Sequence, residues 1–530
     1  MAFLLMVFLT VVCLIEWYPP PPWPASPALA LLTTLFAVAL LGLHARWIAR
    51  RVAVALARDP DDREAVLGRY ERRRAVQQLL QFLLFGLALG VLGWGWAVRQ
   101  AWNWDHPHLF AVRPLPDNHR LLPGVELLTL LPFLLGQVVT WYFLYDADRA
   151  VYRTAQCVMA GDGFSQVLLQ GRPASTAPFG GRWAYIGFQL RQKLALVFIP
   201  VLLLILQKEA VRLFPDAWQE WQGTLNLLGV GALLAVFVSM PLLIRAVLGL
   251  RPLPPGPLRD RLTAATRRLG FRCSDVLVWN TRNGMANAMV IGLVPWLRYV
   301  VFTDRLLDEF SADEVEAVFG HEIGHIRHHH MLFYLVFLMG SMAMLGLLAD
   351  HVLLPWLADG VDGLAARFPA VMPASAGQML GPNGHGAVFP VVGLILGYVF
   401  LVFGFLSRRC ERQADLFGCR AVSCADPDCL VHADDAVLAP RARGLCPTGI
   451  LTFIRALEKV AVLNGICRSR PGFLQSWQHS TIARRVDYLR SVLIDPRREA
   501  RFQRRLFVIK AGLLVGLAAV LAVLLAVYGW

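Results

Sequence analysis

The chemistry this sequence offers sits in two short runs. The first is His321-Glu322-Ile323-Gly324-His325, which reads H-E-x-x-H. On a helix, spacing of i and i+4 puts both imidazoles on one face, one turn apart, as a tetrahedral metal requires. Glu322 lies beside that face, placed to reach a water on the metal rather than the metal itself. This is the arrangement for zinc-assisted peptide hydrolysis: zinc lowers the pKa of the water and Glu322 takes its proton. A catalytic zinc needs a third protein ligand. The second run, 408–415, offers Glu411 and Asp415, four apart on an expected helix. Glu411 would complete a His2Glu set. Asp415 would accept a hydrogen bond from a ligand imidazole and fix its tautomer. Read alone, the same stretch is also a solvated charged face at a membrane boundary, and spacing does not separate the two.

The elements that must position these groups can be read around them. Ser311-Ala312-Asp313-Glu314 is a capping box and opens a helix. That helix is expected to carry H-E-x-x-H, run through His330 and continue into an apolar stretch at 331–356. Upstream, 257–270 has an amphipathic helical pattern. Residues 275–279 and 299–302 read as strands, Asn283-Gly284 as a turn, and 286–292 as a third strand.

The rest of the chain is apolar. Of 530 residues, 56% are hydrophobic and only 17% charged, against about 25% charged in soluble domains. Disorder and an ordinary soluble fold are both excluded. About nine stretches are long enough to span a bilayer: 2–18, 26–45, 78–98, 121–145, 190–207, 223–249, 331–356, 387–406 and 506–528. The first reads as a retained span, because it lacks a basic start and a small-residue cleavage site. Loops 46–74 and 146–193, and the blocks 251–330 and 407–505, are rich in Arg, while the intervening loops are not. The positive-inside rule then puts both blocks and the N-terminus in the cytoplasm. It also explains the net charge of +14 without nucleic acid. The expected fold is mainly α: a polytopic α-helical membrane protein with a cytoplasmic zincin-like α+β catalytic domain. The expected organisation is an N-terminal transmembrane region at 1–250, a protease domain at 251–505 interrupted by the spans 331–356 and 387–406, and a last transmembrane helix at 506–530.

His321-Glu-x-x-His325, followed after a pair of spans by Glu411-x-x-Ala-Asp415, resembles the membrane zinc metalloproteases that include the CAAX prenyl endopeptidase and the heat-shock protease HtpX. The resemblance covers roughly 251–490. Asn287-Ala288 with Gly292 is similar to the family's Asn-Ala segment, which implies an edge strand that pairs with extended substrate. Residues 478–486, Gln-His-Ser-Thr-Ile-Ala-Arg-Arg-Val, resemble the family's His-Pro-x-x-x-x-Arg-Ile. His479 matches the His, Arg485 the Arg, and Ser480 stands where the family usually has Pro. The resemblance implies that His479 stabilises the oxyanion and that Arg485 contributes to positioning, charge balance or substrate binding. A surface helix charge is the other reading of Arg485. The CAAX type encloses a water-filled chamber within its spans, and the resemblance extends that expectation here.

Two clusters lie outside this scheme. His328-His329-His330 reads as a polar collar where the zinc helix meets the bilayer, in preference to a second metal patch. Cys424-x4-Cys429-x2-His432-x13-Cys446 could hold a structural zinc, but its spacing is not standard, and small buried hydrophobes are the bland reading. The sequence therefore points to an integral multi-pass protein, as of a bacterial inner membrane. It would be a zinc endopeptidase acting at the cytoplasmic face on membrane-associated, lipidated or misfolded proteins, with partners in a peptide or protein substrate and the lipid bilayer. A transporter or scaffold with a vestigial metal site is the rival. Few ionisable residues in the spans, mainly Glu126 and Lys510, argue against transport.

Overall fold

The capping box, the three strands and the amphipathic helix are all present in a computed structural model of the chain. It describes residues 26–58, 63–102, 124–161, 179–213, 221–368, 388–424, 426, 429, 432, 445–468 and 477–528. The span expected at 2–18 lies outside them. The elements run α1 Pro27–Arg58, α2 Arg63–Gly90, α3 Trp94–Ala101, α4 Val125–Gly161, α5 Arg182–Leu213, α6 Gln222–Leu248, β1 Arg251–Pro252, α7 Pro257–Arg268, β2 Asp275–Trp279, β3 Ala288–Ile291, β4 Tyr299–Thr303 and α8 Asp304–Glu309. They continue as α9 Ala312–Arg327, α10 His330–Leu348, α11 Leu354–Arg367, α12 Val388–Tyr398, α13 Gly404–Ala421, α14 Pro447–Leu463, α15 Ile482–Ile494 and α16 Arg497–Tyr528. The fold is mainly helical.

Among the described residues, five stretches are long and apolar enough to cross a membrane: Pro27–Arg58, Val125–Cys157, His330–Arg367, Gly393–Ala421 and Arg497–Val527. The pair α2 and α3, bent by 51°, makes a sixth if counted as one broken span. The chain is a multi-pass membrane protein. The stretches expected at 190–207 and 223–249 lie on α5 and α6 and are not among the five.

Two compact units divide the chain. One contains 1–267, 272–315 and 455–474; the other contains 268–271, 316–454 and 475–530.

The first unit holds a four-stranded sheet of order β1-β2-β4-β3. β2 and β4 run parallel, with Asp275 opposite Tyr299, and β3 pairs antiparallel with β4. β4 is buried along its whole length, as a run of Tyr-Val-Val-Phe-Thr between two strands should be. β3 is a terminal strand of the sheet. Asp304 holds the turn before it, accepting from the Thr281 amide at 3.1 Å and the Asn283 amide at 2.9 Å. Arg282 and Asn283 there adopt φ of 56°. The capping box closes as expected: the Ser311 amide donates to Glu314 Oε2 at 2.9 Å, and the Glu314 amide to Ser311 Oγ at 3.3 Å. The same carboxylate takes the Lys459 ammonium at 2.6 Å. Both charges are fully buried, so each needs the other.

The second unit holds the rest of α9, α10 to α13, the start of α14, α15 and α16. Here one expectation is corrected. The H-E-x-x-H helix does not run on through His330. It stops at Arg327; His329 turns left-handed with φ 53° and ψ 33°, and α10 starts afresh at His330. The apolar stretch is a separate helix behind a two-residue break at His328 and His329. It is not a continuous rod.

Candidate metal centre

α9 and α13 cross at unusually small residues. A Cβ on Gly320 would sit 2.3 Å from the Ala421 Cβ, and one on Gly324 would sit 2.9 Å from the Phe417 Cβ and 3.1 Å from the Ala414 Cα. These glycines flank His321 at i−1 and i+3, so they let the second helix close onto the histidine face. Gly320→Ala is therefore expected to lower stability by about 1–3 kcal/mol through overpacking, although Gly→Ala inside a helix normally gains about 1 kcal/mol. Thermal melts in detergent read the sign, and a stabilised variant would refute the close crossing.

That crossing brings the predicted ligands together. One donor atom each from His321, His325 and Glu411 lies within 4.8 Å of the others. The two Nε2 atoms are 3.3 Å apart. Glu411 Oε2 lies 3.8 Å from His321 Nε2, and Oε1 lies 3.6 Å from His325 Nε2. A tetrahedral ion with bonds of about 2.0–2.1 Å to nitrogen sets its donors about 3.3–3.4 Å apart. The two-nitrogen, one-carboxylate set thus fits zinc in both spacing and chemistry.

Behind the donors stand the groups that aim them. His321 Nδ1 is 3.0 Å from Asp415 Oδ1. Asp415 is fully buried and is gripped by Arg485, whose Nε donates to Oδ2 at 2.9 Å and whose Nη2 donates to Oδ1 at 2.5 Å. Arg485 is itself 8% exposed. The surface-charge reading of Arg485 is therefore overturned, and its fork is turned toward Asp415 rather than toward a substrate. Its remaining nitrogen, Nη1, lies 3.8 Å from Glu411 Oε2. His479 Nδ1 is 3.0 Å from Glu411 Oε1, and its side chain is 61% exposed. Glu322 is half-buried beside His321, close enough for its charge to raise the Arg485 pKa.

Ser480 adopts φ 65°. Proline, fixed near −65°, cannot take that conformation. The departure at 480 therefore changes the local backbone at the residue after His479.

The His328–His330 run is not a collar. His330 is fully buried, with Nδ1 3.1 Å from His325 Nδ1 and Nε2 2.9 Å from Gln413 Oε1. His329 is exposed and makes the helix break. His330 thus backs one ligand as Asp415 backs the other. Phe453 stacks on His321 at 5.7 Å between centroids and 20° between planes. Sequence reasoning missed His330, Gln413, Phe453 and the two glycines. Only the glycines left a signal, at i−1 and i+3 of His321. Asn287 and Ala288 lie in the other unit. The Asn287 amide donates to Thr303 Oγ1 at 2.8 Å, and its carbonyl accepts from the Thr303 amide at 3.0 Å. Ala288 opens β3.

The ligands differ in proton affinity. Burial holds the His325 pKa down to about 4, against the pull of Glu411. Burial also disfavours charge on His321, but Asp415 and Glu411 outweigh it and raise its pKa. Metal binding needs the free-base imidazole, and a raised pKa lets the proton compete from a higher pH. Acidification should therefore strip the metal, because protons compete with it for both imidazoles and for Glu411. Retained zinc after desalting across a pH series should fall as the pH is lowered; zinc retention independent of pH would contradict this ligand set.

Residues 256–434 match the Peptidase family M48. The M48 segment contains His321, Glu322, His325, Glu411 and Asp415, and ends before His479 and Arg485. Among curated proteins, the chain is 37% identical over 106 residues to a protease HtpX homolog of Pyrobaculum islandicum, covering 20% of this chain and 29% of that one. It is 32% identical over 88 residues to CAAX prenyl protease 1 of Saccharomyces cerevisiae, covering 16% and 19%. A protease HtpX homolog of Pyrobaculum calidifontis is 30% identical over 194 residues, covering 36% and 48%. The matched part of this chain thus spans half or less of each of these relatives. The crystal structure of S. mikatae Ste24p aligns with a TM-score of 0.44 at 17% identity, covering 89% of this chain and all of that one.

Proposed function

We propose that the protein is an integral membrane zinc endopeptidase that cleaves peptide bonds at the cytoplasmic face of its membrane. The observation that carries this reading is the convergence of His321, His325 and Glu411 donor atoms within 4.8 Å, with Glu322 on the same helix. His321, His325 and Glu411 would hold the ion. Zinc, when bound, supplies a Lewis acid that polarises the scissile carbonyl and acidifies a water. Glu322 accepts the proton of the attacking water and delivers it to the leaving amine. The charge of Glu411, 3.0 Å from the ring, raises the His479 pKa, so the ring favours a proton that it can donate to the developing oxyanion. Asp415 orients His321, and Arg485 neutralises and orients Asp415.

The substrate class follows the relatives named as CAAX prenyl protease and HtpX: membrane-associated proteins that are lipidated or misfolded. β3, as a terminal strand with Asn287 and Ala288 at its start, is suited to hold an extended substrate backbone. The cytoplasmic placement rests on the Arg-rich blocks 251–330 and 407–505.

The test is paired metal analysis and proteolysis. Detergent-purified protein should cleave an unfolded protein or a membrane peptide, lose that activity to a chelator and regain it with zinc. Metal bound at His321 and His325 without cleavage of prenylated, unfolded or membrane peptides would favour a scaffold with a vestigial site.

A further inference from the structure

The geometry points to a second metal site in this chain, a structural zinc held by Cys424, Cys429, His432 and Cys446. One donor atom from each lies within 4.8 Å of all the others. His432 Nε2 is 3.4 Å from Cys446 Sγ. Zinc–sulfur bonds of about 2.3 Å place two sulfurs of a tetrahedral site about 3.8 Å apart, inside that envelope. The three thiols are buried, Cys446 to 1% exposure, and none is in a disulfide. Three sulfurs and one imidazole form a soft set that suits zinc over magnesium or calcium.

The surroundings are shaped for a thiolate rather than for apolar packing. The Gly449 amide donates to Cys446 Sγ at 3.2 Å. That approach requires glycine: a Cβ there would sit 2.4 Å from Ser423 Oγ and 2.8 Å from the Cys419 carbonyl. Ser423 Oγ accepts from the Cys446 amide at 3.1 Å and donates to the Cys419 carbonyl at 2.9 Å. Thr448 Oγ1 donates to the Cys429 carbonyl at 2.8 Å. Backbone and side-chain hydrogen bonds thus hold two of the cysteines from outside, as supports around metal ligands do. The sequence raised this set, but its C-x4-C-x2-H-x13-C spacing matches no standard pattern, so spacing alone did not favour a metal over buried hydrophobes.

The position gives the site a purpose. It ties the C-terminal end of α13, which carries Glu411 and Asp415, to the N-terminal end of α14, which carries Phe453 against His321. It would clamp together the two helices that back the proposed catalytic centre, and its existence does not depend on that centre being active.

Cobalt titration of the full chain tests it. Protein in detergent is stripped of metal under reducing conditions and titrated with cobalt(II). Thiolate ligands give an intense near-ultraviolet charge-transfer band, whereas the His2Glu set has no sulfur and gives none. The band is expected in the wild type, in His321→Ala and in the remote Cys273→Ser. It should be lost in Cys446→Ser and Cys429→Ser, and zinc should displace it. Absence of the band in the wild type would overturn the proposal, and needs no variant to fold. Retention of the band in both cysteine variants would overturn it too, as would a disulfide among these cysteines in thiol counts on the native, unreduced protein. Loss of one metal equivalent in His321→Ala, with the band intact, separates the two sites. Failure of proteolysis leaves the band untouched.

Discussion

Glu322→Gln is expected to keep the fold and the bound zinc and to lose about 10²–10⁴-fold in kcat, the usual contribution of a positioned general base. The glutamine has nearly the same shape and can still hydrogen-bond, but it cannot accept a proton. Glu322 is not one of the three converging donors, so metal content should not fall. Its charge favours charged Arg485 only as a minor contribution behind Asp415 and Glu411, so losing it leaves the buried Arg485–Asp415 pair in place. The loss should therefore appear in kcat rather than in stability or KM. Zinc content, a thermal melt and steady-state cleavage on one preparation decide it. A variant that cleaves like the wild type would remove Glu322 from the mechanism. A variant that loses zinc would move it into the ligand set.

Asp415→Ala should do the reverse, harming structure and metal binding together. Asp415 is fully buried between the His321 ring and the Arg485 guanidinium. Removing it strips the buried Arg485 of its two-pronged partner and leaves only Glu411 at 3.8 Å to balance the charge, a loss of up to about 3–5 kcal/mol. It also frees the His321 ring, and loss of such a support weakens metal binding by about 10–100-fold. Asp415→Asn should be milder in stability, since the amide oxygen still accepts from the guanidinium. Its NH2 group can instead face the ring and favour the wrong tautomer, so most of the metal defect should persist. Arg485→Lys keeps the charge but not the two-pronged grip, and should fall between the two. Zinc affinity by chelator competition, set against melting temperature, separates these effects. Unchanged zinc affinity in Asp415→Ala would show that the ring is held by other means.

How much of this the sequence disclosed depended on distance along the chain. Local patterns were readable. The capping box at Ser311 and Glu314, the β2 and β4 runs and the i, i+4 spacing of His321 and His325 each depend on a few neighbouring residues. Glu411 and Asp415 lie about ninety residues from H-E-x-x-H, and their spacing alone left a solvated face as an equal reading. Only the resemblance favoured one reading, and Gly320 and Gly324 show why the helices can meet. Arg485 was left between a site role and a surface charge because a basic residue on an amphipathic helix is normally exposed, and its burial follows from its pairing with Asp415, far along the chain. His330 was misjudged because a run of three histidines looks like one feature. The left-handed turn at His329 splits it, sending one ring to solvent and another under the metal ligand.

The break at His329 has a mechanical meaning. Membrane helices tilt by about 20° on average and adjust as bilayer thickness changes. His321 lies eight residues before the break, about 12 Å along a helix axis at about 1.5 Å per residue. On a rigid rod, a 10° swing of the membrane segment would move that ring by about 2 Å, several times the roughly 0.5 Å that a working site tolerates. A left-handed residue at 329 works as a universal joint, letting the buried segment rock while the ligand helix keeps its seat against α13. His330, on the far side of the joint and 3.1 Å from the His325 ring, sits near the pivot, where leverage is least.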